Sequence, residues 1–154
     1  MKEFNYNLAY KSLDFTNKIN RSLYRIGRGE QGVLLVRPYT NIICTYWKFK
    51  TPEIARVSAH KIYTLFCNYL KEKDFIGADM CRKFLEMGFT RSRRYANHHS
   101  GRKYDKNKNV LPQEKDSENC KYAKSASIFL KYRRRAAKNS DYIQLRKEWR
   151  NAEV

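Results

Sequence analysis

The sequence has few of the residues that form linkers and no long apolar run. Only 6 Gly and 3 Pro occur among its 154 residues, and no Gly/Ser-rich or Pro-rich stretch divides it, so we expect a single domain. No run approaches the roughly 18 unbroken apolar residues of a membrane span. The first seven residues interrupt apolar with polar side chains, unlike a signal peptide, so we expect an intracellular protein of the cytoplasm or nucleus.

The cysteines also lack the spacing of a metal site. Cys44, Cys67, Cys81 and Cys120 form no CxxC pair, and no histidine stands at the spacing of a zinc knuckle. We therefore expect no structural metal and no cofactor. In a reducing compartment each cysteine is expected to act as a small buried apolar residue.

What the chain does have is basic charge. It carries 33 Lys and Arg against 15 Asp and Glu, a formal charge of +18, with 42% hydrophobic residues and a mean hydropathy of −0.84. Residues 1–77 contribute +7 and residues 78–154 contribute +11. Because such a charge opposes folding by self-repulsion, it predicts a polyanionic partner, with nucleic acid first and an acidic protein or anionic surface as alternatives. A generally basic, solvated surface is the simplest other interpretation.

The N-terminal third predicts an extended segment followed by a hairpin. Residues 1–20 show partial alternation, typical of an arm that docks on the body of the protein. Segment Leu23–Val36 places three glycines between two β-prone runs, which favours a β-hairpin. The same letters match a dinucleotide fingerprint, but no helix is predicted at the third glycine. A further alternative is a phosphate-binding nest of backbone amides at Arg25, Gly27, Arg28 and Gly29.

Helical signals dominate the remainder. Thr51 and Asp74 are good N-caps, and the apolar periodicity behind them predicts two packed amphipathic helices, the second ending near Gly88. Residues 42–47 fit either a strand or a short helix. Two more helices are predicted over 117–138 and from about Ser140, after a polar loop at 100–116. The expected fold class is α+β: a mainly helical single domain with a small N-terminal β-hairpin.

One strongly basic run follows Gly88. Residues 82–108 hold nine basic and two acidic side chains. If Thr90 begins a short helix, four of these side chains share one face, offering guanidinium groups for phosphates and a tyrosine ring for an unpaired base. A solvated basic turn with the tyrosine packed inward is the structural alternative. The candidate binding residues in this run are Arg91, Arg93, Arg94, Tyr95, His98, Arg102 and Lys103.

A second run, residues 131–138, has five positive charges and no acid. Cations at a helix C-terminus stabilise the dipole, which explains part of it. Three consecutive arginines exceed that need, so Arg133, Arg134 and Arg135 are candidate phosphate contacts or part of a nuclear-import signal.

Catalysis has weaker support in the sequence. A nuclease needs carboxylates around a metal, or a histidine beside a metal ligand. Only His98, His99 and Asp105 invite that comparison, and the neighbouring acids show no ligand spacing. We name no catalytic residue.

Segments Leu23–Val36, Phe49–Ala55, Arg94–His98 and Gly101–Tyr104 together resemble a family of small proteins known only as a domain of unknown function, from bacteria, phages, algae and large DNA viruses. Family members usually have His-Lys-Gly-Gly where this chain has His98-His99-Ser100-Gly101. The resemblance brings no catalytic residues. It implies that the glycine-rich turn and residues 97–104 belong to one site, and it favours a virion-associated or genome-associated protein.

These observations predict a protein that binds DNA or RNA through the phosphate backbone, largely independently of sequence. The alternative is a structural or virion component whose basic face docks on an acidic protein. A metal-dependent nuclease is the least favoured hypothesis.

Overall fold

The computed structural model describes residues 2–153, and its regular structure is helical. Within these residues the only β pairing is an isolated bridge between Tyr104 and Val110, so the expected α+β class is wrong and the described chain is all-α. A 3-10 turn at Tyr10–Ser12 is followed by α1 (Lys18–Arg21), α2 (Tyr39–Cys44), α3 (Pro52–Lys71), α4 (Phe75–Asn97), α5 (Lys121–Lys138) and α6 (Ser140–Ala152).

The glycine-rich segment forms consecutive turns in place of the predicted hairpin. Its amides bond three residues back along the same segment, as in Val33 N to Glu30 O and Leu35 N to Gly32 O, both 3.0 Å. The hydroxyl of Thr40 donates to Val33 O at 2.9 Å and accepts from Val36 N at 3.1 Å, so a side chain occupies positions that a partner strand would take. The apolar residues alternate because this irregular segment is buried against the helices. In the sequence alone, the same alternation predicts a strand.

The two N-caps of the long helices are confirmed. Thr51 accepts from Ile54 N at 3.2 Å, and Asp74 accepts from Gly77 N at 3.1 Å. The predicted end of α4 near Gly88 is wrong, since the helix continues to Asn97. Gly88 packs directly against the ring of Phe129 on α5, since a Cβ at this position would lie 2.3 Å from that ring. The glycine therefore lets α5 approach α4 closely.

Helix α4 is the centre of the fold. Its residues 75–81 are all buried, and α3 and α5 pack against it and against each other. Helices α4 and α5 run antiparallel, because Arg133 contacts Glu86 while Tyr122 contacts Tyr95. The chain before α3 packs along the length of α4, from Arg21 at Asp74 to Phe49 at Tyr95. Phe15, Tyr24 and Ile26 in this segment are almost completely buried.

None of the helices within residues 2–153 combines the length and hydropathy of a membrane-spanning helix.

Candidate nucleic-acid interface

Helix α5 carries seven cations and no acidic residue. Six of the cations are exposed, and at about 100° per residue they fall within an arc of about 140° on the helix surface. None of the six forms a salt bridge with another residue of the 2–153 range. We call this set the α5 ridge: Lys121, Lys124, Lys131, Arg134, Arg135 and Lys138.

The apolar side of α5 fixes the direction of the ridge. Ala126, Phe129 and Ala136 are buried, with Phe129 packed over Gly88 of α4. Because one face is held in the core, the opposite face must point to solvent. The helix has 18 residues, so the ridge extends along about 27 Å.

At its C-terminal end the ridge meets a groove lined by four arginines. The arginine groove lies between α4, α5, α6 and the glycine-rich segment, and its cations are Arg82, Arg133, Arg134 and Arg146. Arg134 also lines the shallow depression along the exposed face of α5, so groove and ridge adjoin. Arg133 is paired with Glu86 at 2.6 Å, and Arg82 is paired with Asp79. Arg134 and Arg146 have no carboxylate partner among residues 2–153, which leaves the groove electropositive.

A buried carboxylate, that of Asp79, lies beneath the arginine groove and bonds to Arg82 and Tyr142, which line it. Asp79 is fully buried and accepts hydrogen bonds from the Tyr24 hydroxyl, the Tyr142 hydroxyl at 2.6 Å and Arg82 Nε at 2.7 Å. Burial acts to raise the pKa of Asp79, but the charges of Arg82 and Lys83, with the hydrogen bonds from Arg82 and Tyr142, lower it to about 2. The carboxylate is therefore ionised at neutral pH and fixes the orientation of Arg82.

Arg82 and Lys83 differ although they are neighbours. Arg82 Nη1 donates to Gly29 O at 2.9 Å, which ties the glycine-rich segment to α4. Lys83 is fully buried, with Nζ 3.3 Å from Arg25 O and 4.7 Å from the centre of the Tyr24 ring. Burial lowers the pKa of Lys83 to about 7, against the attraction of Asp79. Lys83 is thus part of the core and is not available to a polyanion.

The basic run after Gly88 lies at the other end of the ridge. Arg91 and Arg94 are exposed on α4, and Arg102 and Lys103 are exposed in the loop behind it. Arg93 instead bonds to Asn97 Oδ1 at 2.8 Å, Ser117 O at 3.2 Å and Glu118 at 3.2 Å, just before α5 begins. One depression brings together Arg93, Arg94, His98 and Lys103, whereas Arg91 and Arg102 lie outside its lining.

The two ring residues predicted in this run are packed. The ring centre of Tyr95 lies 5.6 Å from Phe49 and 5.2 Å from Tyr122, so both partners restrict access of a base to its faces. His98 is only 6% exposed, and its amide donates to Arg94 O at 2.8 Å, closing the end of α4. These contacts match the structural alternative in which the tyrosine packs inward.

The protein itself uses one backbone amide and one guanidinium of the candidate phosphate nest. Gly27 and Gly29 have φ of +70° and +53°, but the Arg28 amide already donates to Gln31 Oε1 at 2.6 Å. The guanidinium of Arg25 donates to the carbonyls of Ser22 and Tyr24 at 2.8 and 3.0 Å. Arg28 remains exposed. The positive φ values serve the turns.

The three residues considered for a nuclease have separate local partners. His98 is buried at the end of α4. His99 faces Asp116, with Nε2 and Oδ1 3.1 Å apart. Asp105 Oδ1 accepts the amides of Asn107 and Asn109 at 2.8 and 2.9 Å, as in a tight polar turn.

Six cations of this surface were not among the candidate residues predicted from sequence: Lys121, Lys124, Lys131, Lys138, Arg82 and Arg146. Lys121 and Lys124 extend the ridge, and the seven-residue spacing of Lys124, Lys131 and Lys138 was a usable signal for a shared helix face. Arg82 and Arg146 reach the groove only because α4 and α6 pack together, and local sequence gives no sign of that contact.

The family model described as a domain of unknown function, DUF4385, matches residues 5–152. The match confirms the resemblance indicated by the glycine-rich segment and residues 94–104. No curated protein and no solved structure matches the chain.

Proposed function

The chain belongs to that family of unknown function, and from this premise we propose that it binds nucleic acid through the phosphate backbone, largely independently of base sequence. The observation that supports the proposal best is the α5 ridge: six exposed cations on one helix face with no acidic residue in the helix. Arginine and lysine on such a surface match the regular negative charge of a nucleic-acid strand.

The dimensions of the ridge suit a strand of phosphates. A helix of about 27 Å lies alongside roughly eight phosphates of one strand at about 3.4 Å each. The arginine groove extends the basic surface beyond the end of α5. Arg91 and Arg94 add exposed cations on the last turns of α4, where Tyr95 contacts Tyr122 in the first turn of α5. This arrangement supports binding through phosphate contacts, without readout of base edges.

The residues of the sequence prediction contribute unequally to this proposal. Arg91, Arg94, Arg102, Lys103, Arg134 and Arg135 have exposed side chains that can reach phosphates. Arg93 and Arg133 are held by Glu118 and Glu86, and we assign them to positioning the helices. His98 is buried and the ring of half-buried Tyr95 packs against Phe49 and Tyr122, so we leave both out of the interface.

The experiment is fluorescence anisotropy with labelled duplex DNA, duplex RNA and single strands of unrelated sequences, at one low salt concentration. In the ridge variant, Lys124, Lys131, Arg134 and Lys138 are replaced by Gln. Its matched control replaces Lys2, Lys11, Lys18 and Lys50 by Gln, which removes the same charge from exposed positions before α3. We expect the ridge variant to bind at least about tenfold more weakly than the control.

Equal affinity of the two variants would contradict the ridge as the interface. Absence of binding to every nucleic acid by the wild-type protein would contradict the function itself. If an acidic protein then copurified in stoichiometric amount, removed by high salt, docking on that protein would replace nucleic-acid binding.

A further inference from the structure

Three potential metal ligands converge where the loop after α4 meets the start of α5. His99 lies two residues beyond the end of α4, Asp116 lies in the turn before α5, and Cys120 is the N-cap residue of α5. Their ligand atoms all lie within 4.8 Å of one another, and the closest pair, His99 Nε2 and Asp116 Oδ1, is 3.1 Å apart. Two ligands of a tetrahedral zinc ion are separated by roughly 3.3–3.6 Å, given metal–ligand bonds of about 2.0–2.3 Å.

The backbone prepares two of these ligands. The amides of Asn119 and Cys120 both donate to Asp116 O at 2.9 Å. This turn places the side chains of Asp116 and Cys120 on the same side, four residues apart. The Cys120 side chain makes no capping hydrogen bond to α5, so its sulfur is not committed to the helix.

The third ligand is oriented by a neighbouring carboxylate. Glu114 Oε1 accepts from the His99 amide at 3.1 Å, and Glu114 Oε2 lies 3.8 Å from His99 Nδ1. The Glu114 amide in turn donates to Asn97 O at 2.7 Å, which anchors the group to the end of α4. The 3.8 Å separation is longer than a hydrogen bond, so Glu114 holds His99 through its backbone amide and places a carboxylate near the ring nitrogen that does not face Asp116.

We propose that His99, Asp116 and Cys120 form a zinc-class transition-metal site, with Glu114 as the positioning residue for His99. One nitrogen, one oxygen and one sulfur ligand favour zinc over magnesium or calcium, which prefer all-oxygen sites. Three protein ligands leave the fourth tetrahedral position for water. The ion joins the end of α4 to the start of α5 across the polar loop. Nothing in this proposal depends on nucleic-acid binding.

Local sequence does not reveal the site, because 21 positions separate His99 from Cys120 and the close pair Asp116 and Cys120 alone is not a recognised metal motif. This is why the cysteine spacing led to the expectation of no structural metal. The site arises only when the loop folds back on α4.

The test is titration of the reduced, metal-free protein with Co²⁺, which reports a bound thiolate by its near-ultraviolet charge-transfer absorption. We expect one equivalent to bind with this absorption in the wild type and in the matched control Cys44→Ser. Cys120→Ser should abolish the absorption. Competition with Zn²⁺ should show binding at least about tenfold weaker in His99→Ala and Asp116→Asn, and unchanged in His60→Ala, a change at an exposed histidine of α3.

Circular dichroism of each metal-free variant checks that it is folded, and His99→Ala, at an exposed position, serves if Cys120→Ser does not fold. The proposal is overturned if the wild type gives no thiolate absorption at millimolar Co²⁺. Absorption that survives in both Cys120→Ser and His99→Ala overturns it equally.

Discussion

Replacing Asp79 by Asn tests the buried network beneath the arginine groove. The substitution keeps the size of the side chain but removes the only carboxylate that contacts Arg82 and lies beside buried Lys83 in the described chain. Removing one partner of a buried ion pair typically costs about 3–5 kcal/mol, because the other charge is left uncompensated. The hydrogen bonds from Tyr24 and Tyr142 are weakened at the same time.

The pKa of Asp79 gives a second value for the stability that its carboxylate provides. Its pKa falls from 3.8 to about 2 on folding, and at about 1.4 kcal/mol per unit this stabilises the ionised folded protein by about 2 kcal/mol. Since the folded pKa lies below the unfolded value, this stabilisation is fully present above about pH 4. It is lost as the pH falls towards 2. The expected loss in Asp79→Asn at pH 7 is therefore about 2–5 kcal/mol.

The assay is urea denaturation of wild type and Asp79→Asn at pH 7 and at steps down to pH 2, followed by circular dichroism. Asp141→Asn is the matched control, since this exposed carboxylate in the first turn of α6 contributes under about 1 kcal/mol. A loss of less than about 1 kcal/mol at pH 7 in Asp79→Asn would refute the reasoning. So would a difference from wild type that does not shrink as the pH falls below 4.

Two further predictions concern the core. Because burial lowers the pKa of Lys83 from 10.5 to about 7, the unfolded chain binds more protons between these values. The free energy of unfolding should therefore rise with pH by up to about 1.4 kcal/mol per unit from pH 7 to 10. Lys83→Met should abolish this rise, as measured by urea titrations at each pH. If the free energy of unfolding of Lys83→Met rises with pH as steeply as that of the wild type, the buried position of Lys83 is contradicted. Gly88→Ala should lower the free energy of unfolding by about 1–3 kcal/mol through overpacking against Phe129. Arg91→Ala, at an exposed position of the same helix, is the control. A stabilised Gly88→Ala would contradict the close approach of α4 and α5.

The helices could be predicted from sequence where local signals agreed with packing. Thr51 and Asp74 are caps whose hydrogen bonds are local, and the apolar stripe predicted behind Asp74 is buried in the core. The stripe predicted behind Thr51 is only partly correct, because Ile54 and Val57 are exposed. The hairpin predicted for the glycine-rich segment was wrong, because the alternating apolar residues of this segment are buried by helices that lie far away in the sequence. The predicted end of α4 was wrong, because Gly88 makes room for the Phe129 ring on α5 and does not terminate the helix.

The basic surface could be predicted in part, because some of its cations follow a local pattern in the sequence. A charge excess and the run at residues 131–138 indicate a polyanion-binding helix, and helical periodicity adds Lys124 to it. Whether a given arginine is free or paired depends on the partner helix, as Arg133 with Glu86 and Arg134 without a described carboxylate illustrate. That distinction requires the tertiary structure.

The salt dependence of DNA binding tests the central claim most directly. Six ridge cations that each neutralise one phosphate contribute about −5 to the slope of log K against log salt for duplex DNA, and cations outside the ridge make it steeper. Removing four of the six in the ridge variant should make the slope less steep by about 4 units. We expect this difference in anisotropy titrations between low and moderate salt, with little change between unrelated sequences. Identical slopes for wild type and ridge variant, or wild-type binding that does not respond to salt, would contradict it.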